Sequence, residues 1–245
     1  MLKNDFPEGA AVEFSQIALG TAFIVVIGLP VLAVRGGVPD DQAGDVAGAR
    51  RAVYASAALS LLILSAIAFG VALWQGIAPA RLGWRVEAPG PAFVWAASVA
   101  ISGLVVAWIV SQSGARLGWQ ESPVSLALMP RDGPEIRSFL MMVGIAAIGE
   151  EYLFRGFAYQ ILAEPLGAWP AVLVTSVSFG LSHGYQRAVG VVRATCLGVL
   201  LALPVMWTGS LFPAIVAHFW INAAIGIGGW RYFFQSADES REAQG

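Results

Sequence analysis

Residues 149–156 read Gly149-Glu150-Glu151-Tyr152-Leu153-Phe154-Arg155-Gly156, so three charged side chains interrupt a long apolar segment. Ionisable groups at membrane depth are costly, and they usually pair with one another or mark a functional site. In a helix, Glu151 and Arg155 are four residues apart, so they share a face and can pair. Glu150 is rotated by about 100° from Glu151. The stretch therefore predicts a transmembrane helix in which one carboxylate is neutralised and the other faces a separate cavity.

The composition of the whole chain agrees with a membrane protein. Of 245 residues, 57% are hydrophobic and 12% are charged, and the mean hydropathy is +0.70. Soluble domains carry about 25% charged residues. We therefore predict an all-α fold, a polytopic membrane helical bundle of about seven transmembrane helices, with a range of about six to eight. The net charge of -2 and the single lysine, Lys3, argue against nucleic-acid binding.

Seven apolar segments are candidates for membrane spans, each of which needs about 20 residues. They are residues 14–34, 52–77, 91–110, 138–163, 170–183, 191–207 and 211–229. The fifth segment is short, and we expect it to end at a cavity inside the protein rather than in lipid. Between the spans, residues 35–51 are predicted to be a solvated loop, and residues 122–129 a short interfacial helix.

The arginines predict how the chain is oriented. They concentrate in the loops 35–51, 111–137 and 184–190 and in the C-terminal tail. The positive-inside rule then puts the N-terminus outside and the C-terminus in the cytoplasm, with Arg187 and Arg193 as anchors at the inner membrane surface. We divide the single membrane domain into N-terminal helices and loops (1–137), a catalytic helical core (138–230) and a polar tail (231–245), of which residues 235–245 are expected to be disordered.

Further polar residues lie in two other spans. The fifth span ends in Phe179-Gly180-Leu181-Ser182-His183, and the seventh contains His218-Phe219-Trp220-Ile221-Asn222. His218 and Asn222 are four residues apart and share a helix face. A lone histidine in a span is most simply a satisfied polar contact. Two histidines, a glutamate and an asparagine on three spans instead favour one shared site.

Peptide hydrolysis by an activated water uses these residue types. Glu150 and His183 are suited to take a proton from water, and His218 with Asn222 to stabilise the oxyanion that forms. A divalent metal such as zinc is the competing explanation, with Glu150, His183 and His218 as its ligands. The compact His-Glu-x-x-His arrangement is absent. The sequence therefore leaves open whether the site uses a metal or no cofactor.

Three motifs, in the same order, resemble those of the CPBP family of intramembrane proteases (CAAX protease and bacteriocin-processing, also called ABI). This family includes the type II CAAX prenyl endopeptidases. Residues 150–155 resemble its Glu-Glu-x-x-x-Arg motif, Phe179 to His183 resemble Phe-x-x-x-His, and His218 to Asn222 resemble His-x-x-x-Asn. The resemblance covers residues 138–222, about a third of the chain.

The resemblance implies a membrane-embedded endopeptidase, either glutamate-dependent or a metalloprotease. In it, Glu150 and His183 would activate water, His218 and Asn222 would hold the oxyanion, and Glu151 and Arg155 would support the site. The implied partners are the lipid bilayer and a membrane-associated protein or peptide substrate. The alanine- and arginine-rich composition suggests a bacterial plasma membrane. A proton-coupled transporter and a non-catalytic membrane scaffold, like a bacteriocin-immunity protein, are the alternatives; the absence of an inverted repeat counts against the transporter.

Overall fold

A computed structural model describes residues 15–35, 37–85 and 88–229, and in these ranges the chain is helical without any β-strand. The all-α prediction is confirmed. The helices are α1 (Gln16–Arg35), α2 (Ala43–Gly48), α3 (Arg50–Trp74), α4 (Pro89–Arg116), α5 (Pro123–Ala127), α6 (Gly133–Glu151), α7 (Tyr159–Leu166), α8 (Ala168–Leu181), α9 (Arg187–Thr208) and α10 (Phe212–Ala224). Segments of π-helix lie within α1, between α6 and α7, and after α10 (Ile24–Gly28, Tyr152–Ala158 and Ile225–Gly229).

Four helical segments in the described ranges are long and apolar enough to cross a membrane: α1, α3, α4 and Gly184–Thr208, which contains α9. Ala168–Leu181 and Phe212–Gly228 are shorter apolar helices. Large apolar side chains point outward, among them Phe23, Trp74 and Met141, which are 64%, 68% and 70% exposed. Apolar surface on this scale is covered by lipid in a polytopic bundle. The protein is an integral membrane protein, and each predicted span coincides with one of these helical segments or with the α6–α7 run.

Small residues let the helices of the core approach closely. A Cβ atom on Gly180 in α8 would lie 1.9 Å from the Thr195 hydroxyl and 2.7 Å from the Val191 carbonyl oxygen, both in α9. Without a driving force from water, packing in membranes depends on such contacts between small residues and backbone. The α8–α9 contact determines where His183, just beyond the end of α8, lies relative to the rest of the core.

The start of α6 is held by a capping arrangement. The Asp132 carboxylate accepts a hydrogen bond from the Glu135 backbone N–H (2.7 Å), and the Glu135 carboxylate accepts one from the Arg131 N–H (2.8 Å). Arg50 of α3 also donates to Glu135 at 2.9 Å. The Arg131 N–H and the Arg50 guanidinium hold the pKa of Glu135 below its usual value. These bonds join α3 to α6, whose other end carries the two glutamates.

The segment between α1 and α3 differs from the solvated loop that the sequence predicts. Residues 43–48 form α2, and Val46 is buried against Val124 and Ala127 of α5. Asp40 pairs with Arg187 at the start of α9. Apolar residues spaced three and four apart in 43–47 could have indicated this helix. The sequence predicts a short helix within 122–129, and the structure has one there, α5. Residues 1–14 and the predicted polar tail lie outside the described residues.

Candidate active site

The two adjacent glutamates at the end of α6 have different surroundings. Glu151 is fully buried, and its Oε1 accepts hydrogen bonds from Arg155 (3.1 Å) and from His218 Nδ1 (2.7 Å). Arg155 is also fully buried and donates to the Gly198 carbonyl of α9 at 3.0 Å. Glu150 is 17% exposed and points into a cavity. The i, i+4 pair expected from the spacing is present, and its acceptor oxygen also binds a histidine.

A π-helical segment begins directly after the glutamates. Tyr152–Ala158 is π-helix, and all seven of its residues are buried. It continues into α7 without a break in the helical run. Single π-helical turns inside α-helices occur frequently at functional sites. Glu151 is the last residue of α6, and Arg155 lies in the π-helical segment. The change from α-helix to π-helix therefore falls between the two residues of this ion pair.

The tautomer of His218 follows from its partner. A carboxylate only accepts hydrogen bonds, so Nδ1 carries the hydrogen that it gives to Glu151. Nε2 then faces Glu150, whose Oε2 lies 3.7 Å away. When His218 is protonated, Nε2 becomes a donor as well, while Nδ1 keeps its hydrogen bond to Glu151. Aspartate plays the same part toward histidine in serine protease triads.

His183 is oriented in a similar way by the backbone. Its Nδ1 donates to the Phe179 carbonyl oxygen at 2.8 Å, so the neutral ring presents an unprotonated Nε2. The Phe179 ring packs against both histidines, with its centroid 4.7 Å from that of His183 and 5.9 Å from that of His218. Arg155 stacks on the same ring, with Cζ 4.5 Å from the centroid. Phe179 therefore holds both imidazoles and the arginine in place.

One cavity of about 600 Å³ brings the candidate residues together. Its lining includes Glu150 of α6, His183 after α8, and His218 with Asn222 of α10. Glu151 and Arg155 are not part of the lining and lie behind its wall. The Asn222 amide makes no hydrogen bond within the described ranges, so it can bind a molecule in the cavity. The rest of the lining is mostly apolar, as is typical of ligand sites of this size.

The fit of this site to a metal can be judged from the donor set. Among residues 15–35, 37–85 and 88–229, no three His, Cys, Asp or Glu side chains form a group that could hold a metal ion. In this arrangement Glu150, His183 and His218 are thus not a ligand set.

The cavity lining also contains Tyr185, Gln186 and Arg193, which the sequence-based site does not include. Arg193 does not anchor the chain at the membrane surface, because it is 6% exposed and pairs with Glu121 at 2.6 Å. It also donates to Ser111 at 2.9 Å. The two partners are far from Arg193 in the sequence, so only the fold reveals the network. For Tyr185, the position two residues after His183 was the available signal.

Comparison with known proteins identifies the region that carries this site. Residues 133–224 match the family model "Type II CAAX prenyl endopeptidase Rce1-like". The resemblance to the CPBP family is confirmed. The match extends from the start of α6 to the end of α10. It therefore contains all six candidate site residues: Glu150, Glu151, Arg155, His183, His218 and Asn222.

A bacterial relative matches over a similar length. Uncharacterized protein YpbD of Bacillus subtilis (strain 168) is 33% identical over 89 residues, which is 36% of this chain and 43% of that protein. The chain thus spans less than half of the length of this relative. No solved structure matches the chain significantly.

Proposed function

We propose that the protein is an intramembrane endopeptidase that cleaves a peptide bond of a membrane-associated protein or peptide with an activated water. The observation that carries the proposal is the shared cavity, into which three helical segments contribute Glu150, His183, His218 and Asn222. The match of residues 133–224 to an endopeptidase family supports it.

In the first step, water attacks the carbonyl carbon of the scissile bond. Glu150 takes one proton from the water, and the unprotonated Nε2 of His183 accepts a hydrogen bond that orients it. A carbon–oxygen bond forms while the carbonyl π-bond opens, and the negative charge moves to the carbonyl oxygen. The product of this step is a tetrahedral oxyanion.

The oxyanion is stabilised from the α10 side of the cavity. The Asn222 amide donates to it, and Nε2 of a protonated His218 adds a charged donor. Glu151 positions this second donor, because its carboxylate accepts the hydrogen bond from Nδ1 of His218. Arg155 in turn pairs with the Glu151 carboxylate. When the tetrahedral species collapses, Glu150 returns its proton to the leaving amine nitrogen as the carbon–nitrogen bond breaks.

We further propose that the site opens toward the cytoplasm of a bacterial cell. The cavity lining contains residues from each of the three arginine-rich loops, for example Val38, Met129 and Gln186. Ion pairs between Asp40 and Arg187 and between Glu121 and Arg193 join the first two of these loops to the first turns of α9, at one end of the bundle. The positive-inside rule assigns that end to the cytoplasm.

The orientation can be tested by cysteine labelling in a Cys196→Ala background. Arg131 and Arg81 are both exposed, and they lie on opposite sides of the predicted topology. In intact cells, a membrane-impermeant maleimide should label Arg81→Cys but not Arg131→Cys. The reverse pattern would contradict a cytoplasmic opening.

The endopeptidase proposal can be tested without knowing the substrate. Membrane proteomes would be compared between cells that carry the wild type and cells that carry Glu150→Ala, with protein termini labelled before digestion. We expect at least one new terminus in the wild type and accumulation of its uncut precursor in the variant. Glu164→Ala is the matched control, because Glu164 is an exposed glutamate of the same helical run. Identical sets of termini in all three strains would contradict the proposal.

A further inference from the structure

The cavity contains a polar group on the His183 side that the mechanism above does not use. Tyr185 follows His183 by two residues in the short helical turn Gly184–Gln186. Its ring lines the cavity, and its centroid is 6.2 Å from that of His183 at an interplanar angle of 32°. A phenol at this position is close enough to the candidate water-activating residues to contact a peptide bound beside them.

The Tyr185 hydroxyl accepts one hydrogen bond from the protein. It accepts a hydrogen bond from the Gln186 side-chain amide at 3.0 Å. A phenolic oxygen can accept and donate at once. The hydrogen has no acceptor of its own in the part of the chain that the structure describes. The hydroxyl oxygen already accepts from Gln186, so the hydroxyl hydrogen is available to donate to a molecule in the cavity.

Gln186 is itself held by a buried network. Its side-chain oxygen accepts from Arg193 at 3.3 Å, and Arg193 is paired with Glu121 through both of its terminal nitrogens. A Cβ atom on Gly190 would lie 2.1 Å from Cβ of Gln186, so the bare backbone of Gly190 makes room for this side chain. The chain of contacts thus runs from a buried ion pair to the wall of the cavity. Such a support fixes the direction of the hydroxyl before a substrate arrives.

We propose that Tyr185 is a substrate-binding residue whose hydroxyl donates a hydrogen bond to a backbone carbonyl of the bound peptide next to the scissile bond. This inference rests on the endopeptidase function proposed above. Peptide carbonyls are the acceptors that any peptide substrate presents along its length. The hydroxyl acts on the bound peptide in the ground state and in the transition state alike, so it contributes to KM rather than to kcat.

A purely structural role for Tyr185 is the competing explanation. Its ring packs against the cluster formed by Val46, Val124 and Ala127, where α2 meets α5. Replacing Tyr185 by phenylalanine keeps this ring and removes only the hydroxyl. The substitution therefore separates a packing role from a hydrogen-bonding role.

The experiment uses the full-length protein in phosphatidylethanolamine–phosphatidylglycerol vesicles with a pool of internally quenched peptides, with and without an S-farnesyl cysteine. For the peptide that the wild type cleaves fastest, Tyr185→Phe should raise KM by about two- to tenfold, the value of one hydrogen bond, with kcat unchanged. Gln186→Met should raise KM in the same direction, and the double variant should be no worse than Tyr185→Phe alone. Tyr159→Phe is the control, because Tyr159 is buried in a separate cluster outside the cavity lining.

The possible outcomes separate this inference from the function on which it rests. If Glu150→Gln is inactive while Tyr185→Phe has the wild-type KM, the inference is wrong and the endopeptidase function stands. If Tyr185→Phe instead lowers the thermal stability of the protein and leaves KM unchanged, the residue is structural and the inference is again wrong. If Glu150→Gln cleaves as fast as the wild type, both proposals fail.

Discussion

At the residue scale, Glu151 connects two motifs that are far apart in the sequence, residues 150–155 and residues 218–222. Its Oε1 binds Arg155 of the π-helical segment and His218 of α10, and Arg155 reaches Gly198 of α9. Both charged side chains are fully buried. Removing one partner of a buried ion pair leaves an uncompensated charge, which is far more costly than removing an exposed charge.

Arg155→Ala should therefore destabilise the protein by about 3–5 kcal/mol. The substitution leaves the Glu151 carboxylate buried with only His218 as a partner. The free energy of unfolding can be measured by titrating detergent-solubilised protein with sodium dodecyl sulfate. Arg137→Ala is the matched control, because Arg137 is an exposed arginine of α6, and it should change stability by less than about 0.5 kcal/mol. Equal effects of the two substitutions would show that the buried pair does not stabilise the fold.

The spacing of the motif predicts the Glu151–Arg155 pair, because residues four apart on a helix are neighbours whatever the tertiary structure. It does not predict the bond from His218 to Glu151, since these residues are 67 positions apart. The same limit applies to Arg193, whose partner Glu121 is 72 positions away. The sequence therefore predicts which polar residues lie in the helical segments, but not which of them bind one another or, for Arg193, that the side chain is buried.

At the scale of helices, the position of His183 depends on how closely α8 packs on α9. Gly180→Ala should push the two helices apart, because its Cβ would overlap the Val191 carbonyl and the Thr195 hydroxyl. We expect a loss of stability of about 1–3 kcal/mol from overpacking and a lower rate of peptide cleavage. Thermal unfolding and a cleavage assay on the same preparation measure both effects.

Gly70 in α3 provides the control for this substitution. A Cβ atom on Gly70 meets no atom within 4 Å. Gly70→Ala should thus stabilise the protein slightly, by up to about 1 kcal/mol, through helix propensity alone. If Gly180→Ala behaved like Gly70→Ala, the close approach of α8 and α9 would have no energetic importance.

The start of α6 should make stability depend on pH. Native contacts with the Arg131 N–H and Arg50 lower the pKa of Glu135 from its usual value of 4.5. The contribution of a carboxyl whose folded pKa is lowered is complete above the unfolded value and is lost as pH falls through the folded value. Wild type should lose more stability than Glu135→Gln when the pH is lowered from 5 to about 3. Parallel curves for the two proteins over this range would contradict the assignment.

At the scale of the whole molecule, the hydropathy of the chain predicts the arrangement of helices well. Each apolar run is long enough that a few polar residues do not bring its mean hydropathy below that of a membrane span. All seven predicted segments therefore coincide with helical runs. The π-helical segments are different, because they depend on how neighbouring helices pack and not on composition. The packing of α2 on α5 likewise depends on contacts between residues that are far apart in the sequence, such as Val46 and Val124.

The two adjacent glutamates have different contacts, and the proposed function depends on that difference. Glu151 is used inside the structure, whereas Glu150 faces the cavity with His183, His218 and Asn222. A transporter or a scaffold could also contain such a cavity. Of these three functions, only the peptidase requires the Glu150 carboxylate to deprotonate a water that attacks a peptide bond.

The most direct test is the rate of peptide cleavage by purified protein in vesicles, with wild type, Glu150→Gln and Glu164→Gln compared at equal concentrations. Glutamine preserves the shape of the side chain and cannot act as a base. Glu150→Gln should lower kcat by at least about 100-fold, the contribution typical of a general base. Glu164→Gln, an exposed change on the same helical run, should leave kcat as it is. Cleavage by Glu150→Gln at the wild-type rate would contradict the assignment of Glu150 as the base.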